Sequence, residues 1–290
     1  MTNKTNVQGC LYIVSVPIGN DKDITLRALE ILKEVDYIAA EDTRKIGLLL
    51  SQHNITKKKF LTHHSHNEKE SSRGIIDLIR ENQSVALVSD AGTAQIADPG
   101  FELIRQARNS QIEVIAIPGV SALTTALSLS TLSGKGHIFV GFLPAKKTER
   151  IKTLRSLSSS ALSSLESRLV FFEAPHRLLE SLKDCLEIWG DIQIEIFREL
   201  TKPYQQYLRQ SIKEMIAHFE KNSPKGEFVV IAEPPVIKKE TSSDIEKEII
   251  RLLQNNNVKQ TFELLQQRKL LPRKKLYQLI LDLSKQAPKT

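Results

Sequence analysis

Short apolar runs alternate with stretches of helical periodicity along the first 235 residues of the chain. In the first half of this region the runs predict β-strands at residues 11–16, 37–40, 60–63, 85–88 and 112–117. After the first run, Leu26, Leu29 and Leu32 recur at the spacing of one helix face, and Thr25 is placed to cap that helix. Strands that alternate with helices in this way are typical of βα units, so the pattern predicts an α/β fold.

A second set of elements begins near residue 134. Apolar runs predict strands at 137–143, 168–172, 193–197 and 227–232, with helices near 177–189 and 212–220. The second of these helices opens with Ser211 and Glu214, the pattern of a capping box. The Lys- and Ser-rich connection from 144 to 165 is too polar for a core and predicts a functional loop or helix.

The last 55 residues follow a different pattern. Residues 236–243 are interpreted as a linker, and the apolar positions beyond it predict three short helices, for which a helix-turn-helix is one candidate arrangement. Together these patterns indicate one set of α/β elements over residues 1–132, a second over residues 133–235, and a helical extension over residues 236–290.

Composition and charge narrow the class of protein. The chain has 290 residues, of which 40% are hydrophobic and 26% charged, as in soluble globular proteins. No apolar run approaches the roughly 20 residues that span a bilayer, so no membrane association is expected. The two cysteines, Cys10 and Cys185, are far apart and lack metal-ligand spacing, which favours a reducing cytoplasm over a disulfide or zinc site.

Positive charge is concentrated at the end of the chain. Residues 236–290 hold 12 Lys or Arg and 6 Asp or Glu, a balance of +6 out of a net charge of +7. A basic extension is typical of proteins that bind nucleic acid. The alternative is a solvated helical appendage, and charge alone does not separate the two.

The segment from residue 85 to residue 100 is the most informative about a ligand site. Four apolar residues are followed by a loop of small residues that contains Asp90 and Gly92, and Asp98 and Pro99 are predicted to open the next helix. In an open α/β sheet, ligands bind where strands end and loops begin. The loop therefore predicts a ligand site, with an ordinary βα turn as the alternative interpretation.

Several common catalytic motifs are absent from the sequence. It contains no GxxxxGK[ST], no GxGxxG after the first strand and no GxSxG. These absences disfavour phosphate-loop NTPases, conventional dinucleotide dehydrogenases, conventional methyltransferases and α/β-hydrolases. The histidines at 63, 64 and 66 lack partners at metal-ligand spacing, so no metal site is predicted. Seven polar loops remain that are expected to gather at one sheet edge: 17–20, 41–44, 64–68, 89–98, 118–122, 172–177 and 198–202.

The segments around these loops match a known family in order and in combination. They are LYIVSVPIGNDKDITLRALEIL, IAAEDTRKIG, HSHNE, VALVSDAGTAQIADPG, IPGVSAL, GFLPAKK, FFEAPHRL, RELTK and GEFVVIAE. The chain resembles the tetrapyrrole-methylase-like S-adenosylmethionine enzymes, and within them the ribosomal RNA small subunit methyltransferase I family. The resemblance implies a two-lobed α/β fold of that type with a small C-terminal helical extension, a cofactor in the cleft between the lobes, and a homodimer.

The same resemblance implies an activity and a cofactor site. The activity is S-adenosylmethionine-dependent 2′-O-methylation of a cytidine ribose, expected at cytidine 1402, in the decoding region of 16S rRNA in the small ribosomal subunit. Carried over residue by residue, the cofactor site consists of Pro17, Ile18, Ser89, Asp90, Ala91, Gly92, Thr93, Ile96, Ser121, Ala122, Phe172 and Glu173, with Leu200 less securely.

Candidate catalytic and RNA-binding residues follow from the chemistry. A ribose hydroxyl needs a proton acceptor or a group that stabilises its oxyanion. The candidate bases are Glu41, Asp42, His64, His66 and Glu199, and the candidate cations for the oxyanion or a flanking phosphate are Arg44 and Arg198. Of these, residues 41–44 and 198–199 are preferred. The predicted contacts to RNA phosphates are Lys146, Lys147, Arg150, Arg268, Arg273, Lys274 and Lys275.

Two other functions stay open from the sequence. One is a small-molecule methyltransferase that acts on a tetrapyrrole such as a precorrin, which the basic extension disfavours. The other is a non-catalytic assembly factor that binds S-adenosylmethionine and RNA, since a degraded active site can keep its cofactor loops.

Overall fold

The computed structural model describes residues 9–158, 167–235, 242–266 and 273–286. The described residues fall into two compact units, one formed by residues 9–158 with 167–235 and the other by residues 242–266 with 273–286. The first unit contains two five-stranded sheets. Among the helices of the described residues, none has both the length and the hydropathy to cross a membrane.

The first sheet is parallel throughout. Its strands are β1 (Cys10–Val14), β2 (Tyr37–Ala40), β3 (Lys59–Thr62), β4 (Val85–Val88) and β5 (Glu113–Ile117), in the order β3-β2-β4-β1-β5. The helices that connect or follow them are α1 (Leu26–Glu34), α2 (Thr43–Gln52), α3 (Glu68–Arg80), α4 (Phe101–Asn109) and α5 (Ala122–Leu129), with a 3-10 turn at Asp21–Asp23. All five strands lie where the apolar runs predict them, and Thr25 caps α1 as expected.

The apolar character of the central strands follows from burial on both faces. Tyr12 and Val14 pack with α1 and α2 on one face, whereas Leu11 and Ile13 pack with α3 and α4 on the other. Because successive side chains of a strand point to opposite faces, a strand covered on both sides is apolar at every position. This explains why the runs lack a polar alternation.

The second sheet is mixed. Its strands are β6 (Gly136–Phe142), β7 (Ser167–Glu173), β8 (Gln193–Arg198), β9 (Gln206–Ser211) and β10 (Phe228–Ala232), in the order β6-β7-β10-β8-β9. The β6–β7 pair of this sheet is parallel, and the β7–β10, β10–β8 and β8–β9 pairs are antiparallel. The helices α6 (Lys147–Leu157), α7 (Pro175–Trp189) and α8 (Ile212–Lys221) pack on one face. The predicted capping box of α8 is confirmed, and α6 shows that the polar connection after β6 begins as a helix.

The other face of the second sheet packs against the first half of the unit. Ala126 of α5 and Ile18 join Val170, Val229 and Ile231 in one apolar cluster. The predicted boundary between residues 132 and 133 falls between α5 and β6, while both sheets belong to the same compact unit. The division into two lobes at that residue stays a prediction.

A buried carboxylate holds the segment that leads from α5 to β6. Glu195 of β8 is fully buried and accepts hydrogen bonds from Ser130 Oγ (2.5 Å), the Thr131 amide (2.8 Å) and Tyr207 Oη (2.8 Å). Burial alone would raise the pKa of this carboxyl, but these hydrogen bonds outweigh it and the pKa is lowered. The charge therefore stabilises the fold at neutral pH.

The second unit is helical. Helices α9 (Ser242–Leu253), α10 (Val258–Gln266) and α11 (Arg273–Gln286) share a small core of Ile245, Ile249, Phe262, Leu265, Leu276 and Ile280. The three helices confirm the prediction made from the apolar spacing. Residues 236–241 of the predicted linker lie outside the described residues.

Candidate active site

The loops after β1 and β4 meet at a change of direction in the first sheet. The chain leaves β1 through α1 toward β2, whereas it leaves β4 through α4 toward β5, so the two connections cross opposite faces of the sheet. Such a point opens a crevice at the carboxyl ends of the strands. The loops are joined there by an antiparallel bridge in which the Val16 amide donates to Gly92 O (2.8 Å) and the Gly92 amide to Val16 O (3.0 Å).

A cavity of about 330 Å³ lies at this crevice. This volume is within the range of small-molecule sites. Its walls come from both sheets and are largely apolar. The lining residues that the sequence assigns to the cofactor are Ile18, Ala91, Gly92, Thr93, Ile96, Ser121, Ala122, Phe172, Glu173 and Leu200. The lining residues that it does not assign are Ala97, Asp98, Phe142, Ala174, Pro175, Phe197, Glu227, Phe228 and Val229.

The other residues assigned to the cofactor lie just outside this cavity. Pro17 and Asp90 line an adjacent polar cleft of about 280 Å³, together with Lys45 and Lys202. The Ser89 hydroxyl donates to the carbonyl of Ala91 and thereby shapes the loop.

Asp90 connects the ends of two strands. Its carboxylate accepts a hydrogen bond from the Asp42 amide (3.0 Å) and one from Lys45 Nζ (2.6 Å). The hydrogen bond that Lys45 donates to Asp90 raises the pKa of the Lys45 ammonium, although partial burial works in the opposite direction. Asp90 therefore fixes the first turn of α2 against the cavity loop, and its charge is already paired.

The helix cap predicted at residues 98–99 is wrong. Helix α4 begins at Phe101, and its N-cap is Gly100, whose φ of 140° a residue with a side chain rarely adopts. A carboxylate oxygen of Glu68, at the start of α3, accepts from the Gly100 amide (2.9 Å) and the Glu102 amide (3.0 Å). A side chain from a distant part of the sequence thus performs the capping expected of Asp98.

Asp98 lines the cavity instead. Its carboxylate makes no hydrogen bond or ion pair with any other residue that the structure describes. Burial, followed by repulsion from Glu41, Asp90 and Glu227, raises the pKa of Asp98 to about 6. A carboxyl group with a raised pKa in a cleft is a candidate for acid–base chemistry. From the sequence, Asp98 was interpreted as the cap of α4, so it was not proposed as a site residue although its loop was.

Asp42, one of the preferred bases, has a structural role. It is the N-cap of α2, where its carboxylate accepts from the Arg44 amide (3.0 Å) and from Arg44 Nε and Nη2 (3.1 and 3.0 Å). The hydrogen bonds from Arg44 lower the pKa of Asp42 to about 2. A group this acidic is a weak proton acceptor at neutral pH. Glu41 beside it is exposed and lies outside the cavity lining among the described residues.

Glu199 and Arg198 are also engaged within the protein. Glu199 accepts from Lys202 Nζ (2.9 Å) and from the Glu227 amide (2.9 Å). Burial would raise the pKa of Glu199, but these hydrogen bonds lower it. Gly226 lies close to this carboxylate: its φ of 87° is one that residues with a side chain rarely adopt, and a Cβ there would lie 2.5 Å from the carboxyl carbon. Arg198 donates to the Lys225 carbonyl (2.5 Å) and to Gln206 Oε1 (2.9 Å).

The histidine pair lies on the loop after β3. The rings of His64 and His66 are in edge-to-face contact with their centroids 5.9 Å apart, and the His64 amide donates to Asn67 Oδ1 (2.8 Å). Neither residue is among the described residues that line the cavity. In the described part of the chain, no group of three or more His, Cys, Asp or Glu side chains is arranged to hold a metal ion.

The assignment of Arg150 to RNA binding is wrong. Its side chain is buried, with 1% of the residue exposed, and Nε donates to Asp184 Oδ2 (2.7 Å). Nη1 donates to the carbonyls of Pro144 (3.2 Å) and Ala145 (3.0 Å). Arg150 therefore attaches α6 to α7 and cannot reach a phosphate.

The other predicted phosphate contacts are more exposed. Lys146 and Lys147 lie on the surface at the start of α6, although Lys147 Nζ is 3.3 Å from Asp184 Oδ1. The first turn of α11 exposes Arg273, Lys274 and Lys275. Arg268 lies outside the described residues.

The family model described as Tetrapyrrole (Corrin/Porphyrin) Methylases matches residues 10–216. A solved cobalt precorrin-4 methyltransferase has a TM-score of 0.54 and 17% identity, and covers 80% of this chain and 98% of its own. A uroporphyrin-III C-methyltransferase from Thermus thermophilus, solved in complex with S-adenosylhomocysteine, has a TM-score of 0.55 and 17% identity, and covers 77% of this chain and 97% of its own. The fold is that of the tetrapyrrole methylases, which confirms the predicted fold class.

Sequence relatives define a narrower group. The ribosomal RNA small subunit methyltransferase I of Thermotoga maritima is 46% identical over 224 residues, which are 77% of this chain and 97% of the relative. The protein of the same name from Synechocystis sp. is 40% identical over 280 residues, 95% of this chain and 98% of the relative. The chain belongs to the ribosomal RNA small subunit methyltransferase I family, and the resemblance seen in the sequence is confirmed.

Proposed function

We propose that this protein is an S-adenosylmethionine-dependent methyltransferase of 16S rRNA. Its target is the 2′-hydroxyl of a cytidine ribose in the decoding region, cytidine 1402. The observation that carries the proposal is the cavity at the crevice of the first sheet, whose walls include most of the residues that the family resemblance assigns to the cofactor. Family membership over nearly the full length of the relatives supports the same activity.

The residues around the cavity fit S-adenosylmethionine. Phe172, Leu200 and Val229 offer an apolar floor for an adenine ring, and the loop at 91–93 lines the cavity as well. The cofactor, when bound, supplies a methyl group on a positively charged sulfur. Carboxylates in the wall, Asp98 and Glu173, give the cavity a negative character that suits a cation.

Glu173 also fixes the wall on the side of the second sheet. It is fully buried and accepts from the Ala174 amide (2.9 Å) and from Ser181 Oγ (2.5 Å), with Arg177 Nε 3.4 Å away. These contacts hold the start of α7, where Ala174 and Pro175 line the cavity. The residues from this side are therefore held in place before any ligand binds, which lowers the entropic cost of binding.

The helical extension supplies the contact to RNA in this proposal. Arg273, Lys274 and Lys275 occupy the first turn of α11, and no acidic residue lies there. A helix N-terminus carries the positive end of the macrodipole, so three cations there do not stabilise the helix locally. Phosphate binding accounts for the two lysines, because each neutralised phosphate releases counterions. The Arg273 guanidinium also lies over the Phe262 ring, 5.7 Å from its centroid. The exposed lysines at the start of α6 form a separate positive surface on the first unit.

The protein is further proposed to act in the cytoplasm as a homodimer. Helices α1 and α2 cover the same face of the first sheet. On them, Leu26 is 80% exposed and Leu48 is 64% exposed. A second copy of the chain would cover such apolar surface. Sedimentation at micromolar concentration measures this directly, and a monomer would contradict it.

Methyl transfer to three acceptors tests the function. The protein is incubated with S-adenosylmethionine carrying a labelled methyl group and with free 16S rRNA, assembled small subunits or a uroporphyrinogen. We expect label in RNA, released by nuclease digestion as 2′-O-methylcytidine. Label on a base or on the tetrapyrrole would contradict the proposal, and cofactor binding without transfer to any acceptor would show a non-catalytic protein.

A further inference from the structure

We propose that Asp98 is the residue that accepts the hydroxyl proton of the substrate during methyl transfer. The inference rests on the function proposed above. It names a catalytic residue outside the set suggested by the sequence, where Glu41, Asp42 and Glu199 were the carboxylates considered.

The position of Asp98 in the cavity carries the inference. It is in the wall that also contains Ala91, Gly92 and Thr93, so it borders the space assigned to the methyl donor. Because Glu68 caps α4, the carboxylate of Asp98 has no structural hydrogen bond to make with the described residues. Gly100 keeps the loop in a conformation that separates Asp98 from the helix end.

The alternative carboxylates are occupied by other contacts. Asp42 pairs with Arg44, Asp90 with Lys45, and Glu199 with Lys202. A carboxylate already held by a cation has little tendency to take a proton. Of these four acids, Asp98 is therefore the one suited to proton transfer.

Three nearby carboxylates also affect the pKa of Asp98. Glu41 from the loop after β2, Asp90 from its own loop and Glu227 before β10 disfavour a second negative charge, after burial as the main cause, and together they raise the pKa of Asp98 to about 6. A base works best when its pKa is near the operating pH.

Other charged groups around the cavity are already paired. Glu68 and Glu173 accept hydrogen bonds from backbone amides. Lys45 lies on Asp90, and Lys202 bridges Glu199 and Glu227. No cation among the described residues is paired with Asp98.

The step balances with groups already named. The ribose oxygen forms a bond to the methyl carbon, the carbon–sulfur bond breaks with its electron pair remaining on sulfur, and the hydroxyl proton moves to a carboxylate oxygen of Asp98. The proton then passes to water through the open side of the cavity. The positive charge lost from sulfur and the proton gained by Asp98 leave the site with less separated charge, which an apolar cavity favours.

The test compares the wild-type protein with Asp98→Asn, which has the same shape but takes no proton. A matched control is Asp77→Asn, the same chemical change on the exposed surface of α3, beside Arg80. Three measurements are made: carbon-13 titration of aspartate carboxyl groups in the free protein, calorimetric affinity for S-adenosylmethionine, and the single-turnover rate of methyl transfer to small subunits as a function of pH.

We expect one aspartate signal that titrates near pH 6 and is absent from Asp98→Asn. The methyl-transfer rate of this variant should fall by about 10²- to 10⁴-fold, the usual contribution of a general base. The wild-type rate should rise with pH and then level, and that rise should be absent from the variant. Because the charge of Asp98 also suits a cationic cofactor, the affinity of the variant for S-adenosylmethionine should fall, but by less than about tenfold. Every property of Asp77→Asn should stay within about twofold of the wild type.

Two results would overturn the inference. A rate within threefold of the wild type would show that Asp98 takes no proton, and a loss of cofactor affinity equal to the loss of rate would make it a binding residue instead.

Failure of the proposed function is a separate result. If the wild type methylates a base or a tetrapyrrole, the assignment of substrate is wrong, and the same comparison on that acceptor still decides the role of Asp98. The melting temperature of Asp98→Asn is compared with that of the wild type to check that the variant is folded. Asp98→Ser is a second variant without the carboxyl group.

Discussion

The buried guanidinium of Arg150 is expected to be one of the main supports of the second sheet. Its contacts join α6 to Asp184 on α7 and to two carbonyls of the preceding loop. Arg150→Met keeps most of the apolar stem but removes the charge and every donor. The variant therefore leaves the Asp184 carboxylate buried without its main partner.

The unpaired Asp184 carboxylate determines how much unfolding free energy the Arg150→Met variant loses. Removing one partner of a buried ion pair costs about 3–5 kcal/mol, because the remaining charge stays desolvated. Lys147 Nζ, 3.3 Å from the other oxygen of Asp184, compensates part of this loss. We therefore expect about 3 kcal/mol, which lowers the melting temperature of a unit of this size by about 6–12 °C.

The sequence has a single tryptophan, which provides the assay. Trp189 at the end of α7 is buried, and its Nε1 donates to the Leu154 carbonyl on α6 (3.3 Å). Its fluorescence therefore reports the loss of the packing that Arg150 supports. Urea unfolding at pH 7 gives the free energy of unfolding for each variant.

Two further variants make the result specific. Lys152→Met changes an exposed lysine on the same helix and should leave the unfolding free energy unchanged. The double variant Arg150→Met with Asp184→Leu should recover most of the loss, because it leaves no unpaired charge. A cost below about 1 kcal/mol for Arg150→Met, or no recovery in the double variant, would refute the assignment of a structural ion pair.

Three other variants test separate parts of the molecule. Glu195→Gln should cost about 2 kcal/mol at pH 7, measured by urea unfolding, because it weakens charged hydrogen bonds. Since hydrogen bonding lowers the pKa of that carboxyl below its ordinary 4.5, the difference from the wild type should shrink as the pH falls below this value, and a difference independent of pH would contradict the reasoning. Replacing Arg273, Lys274 and Lys275 by Ala should weaken binding of a small-subunit RNA fragment roughly tenfold and make its salt dependence shallower by about 2 in log–log slope, with cofactor affinity unchanged; an unchanged slope would remove these cations from the RNA interface. Glu68→Ala should cost about 1 kcal/mol through loss of the α4 cap, which hydrogen exchange at the Gly100 amide would show as reduced protection.

The sequence predicted the elements that local patterns determine. The strands of the first sheet are apolar throughout because both faces are buried, and the Ser211–Glu214 box marks a helix start through contacts three residues apart. Strand β9 was missed, since it is an edge strand of mainly polar residues paired on one side by β8. Its place in the sheet depends on that neighbour and leaves no apolar run.

The errors in the site have a common physical cause. Arg150 is buried because Asp184 lies opposite it in space, and Asp98 is released from capping because Glu68 reaches the same amides. Asp184 is 34 residues from Arg150 in sequence, and Glu68 is 32 residues from Gly100, whose amide it caps. Position in a motif indicated which loops form the cavity, but it did not indicate which acid in those loops is paired.

The apolar cluster between α5 and the second sheet limits how this protein can be altered. Ile18, Leu200 and Val229 belong both to that cluster and to the wall of the cavity. A substitution that reshapes the floor for another ligand therefore also weakens the attachment of one sheet to the other. Ile96 and Phe142, which line the cavity but are exposed, do not carry this cost. Redesign of ligand preference should begin at these two rim positions, where substitutions should change the free energy of unfolding little.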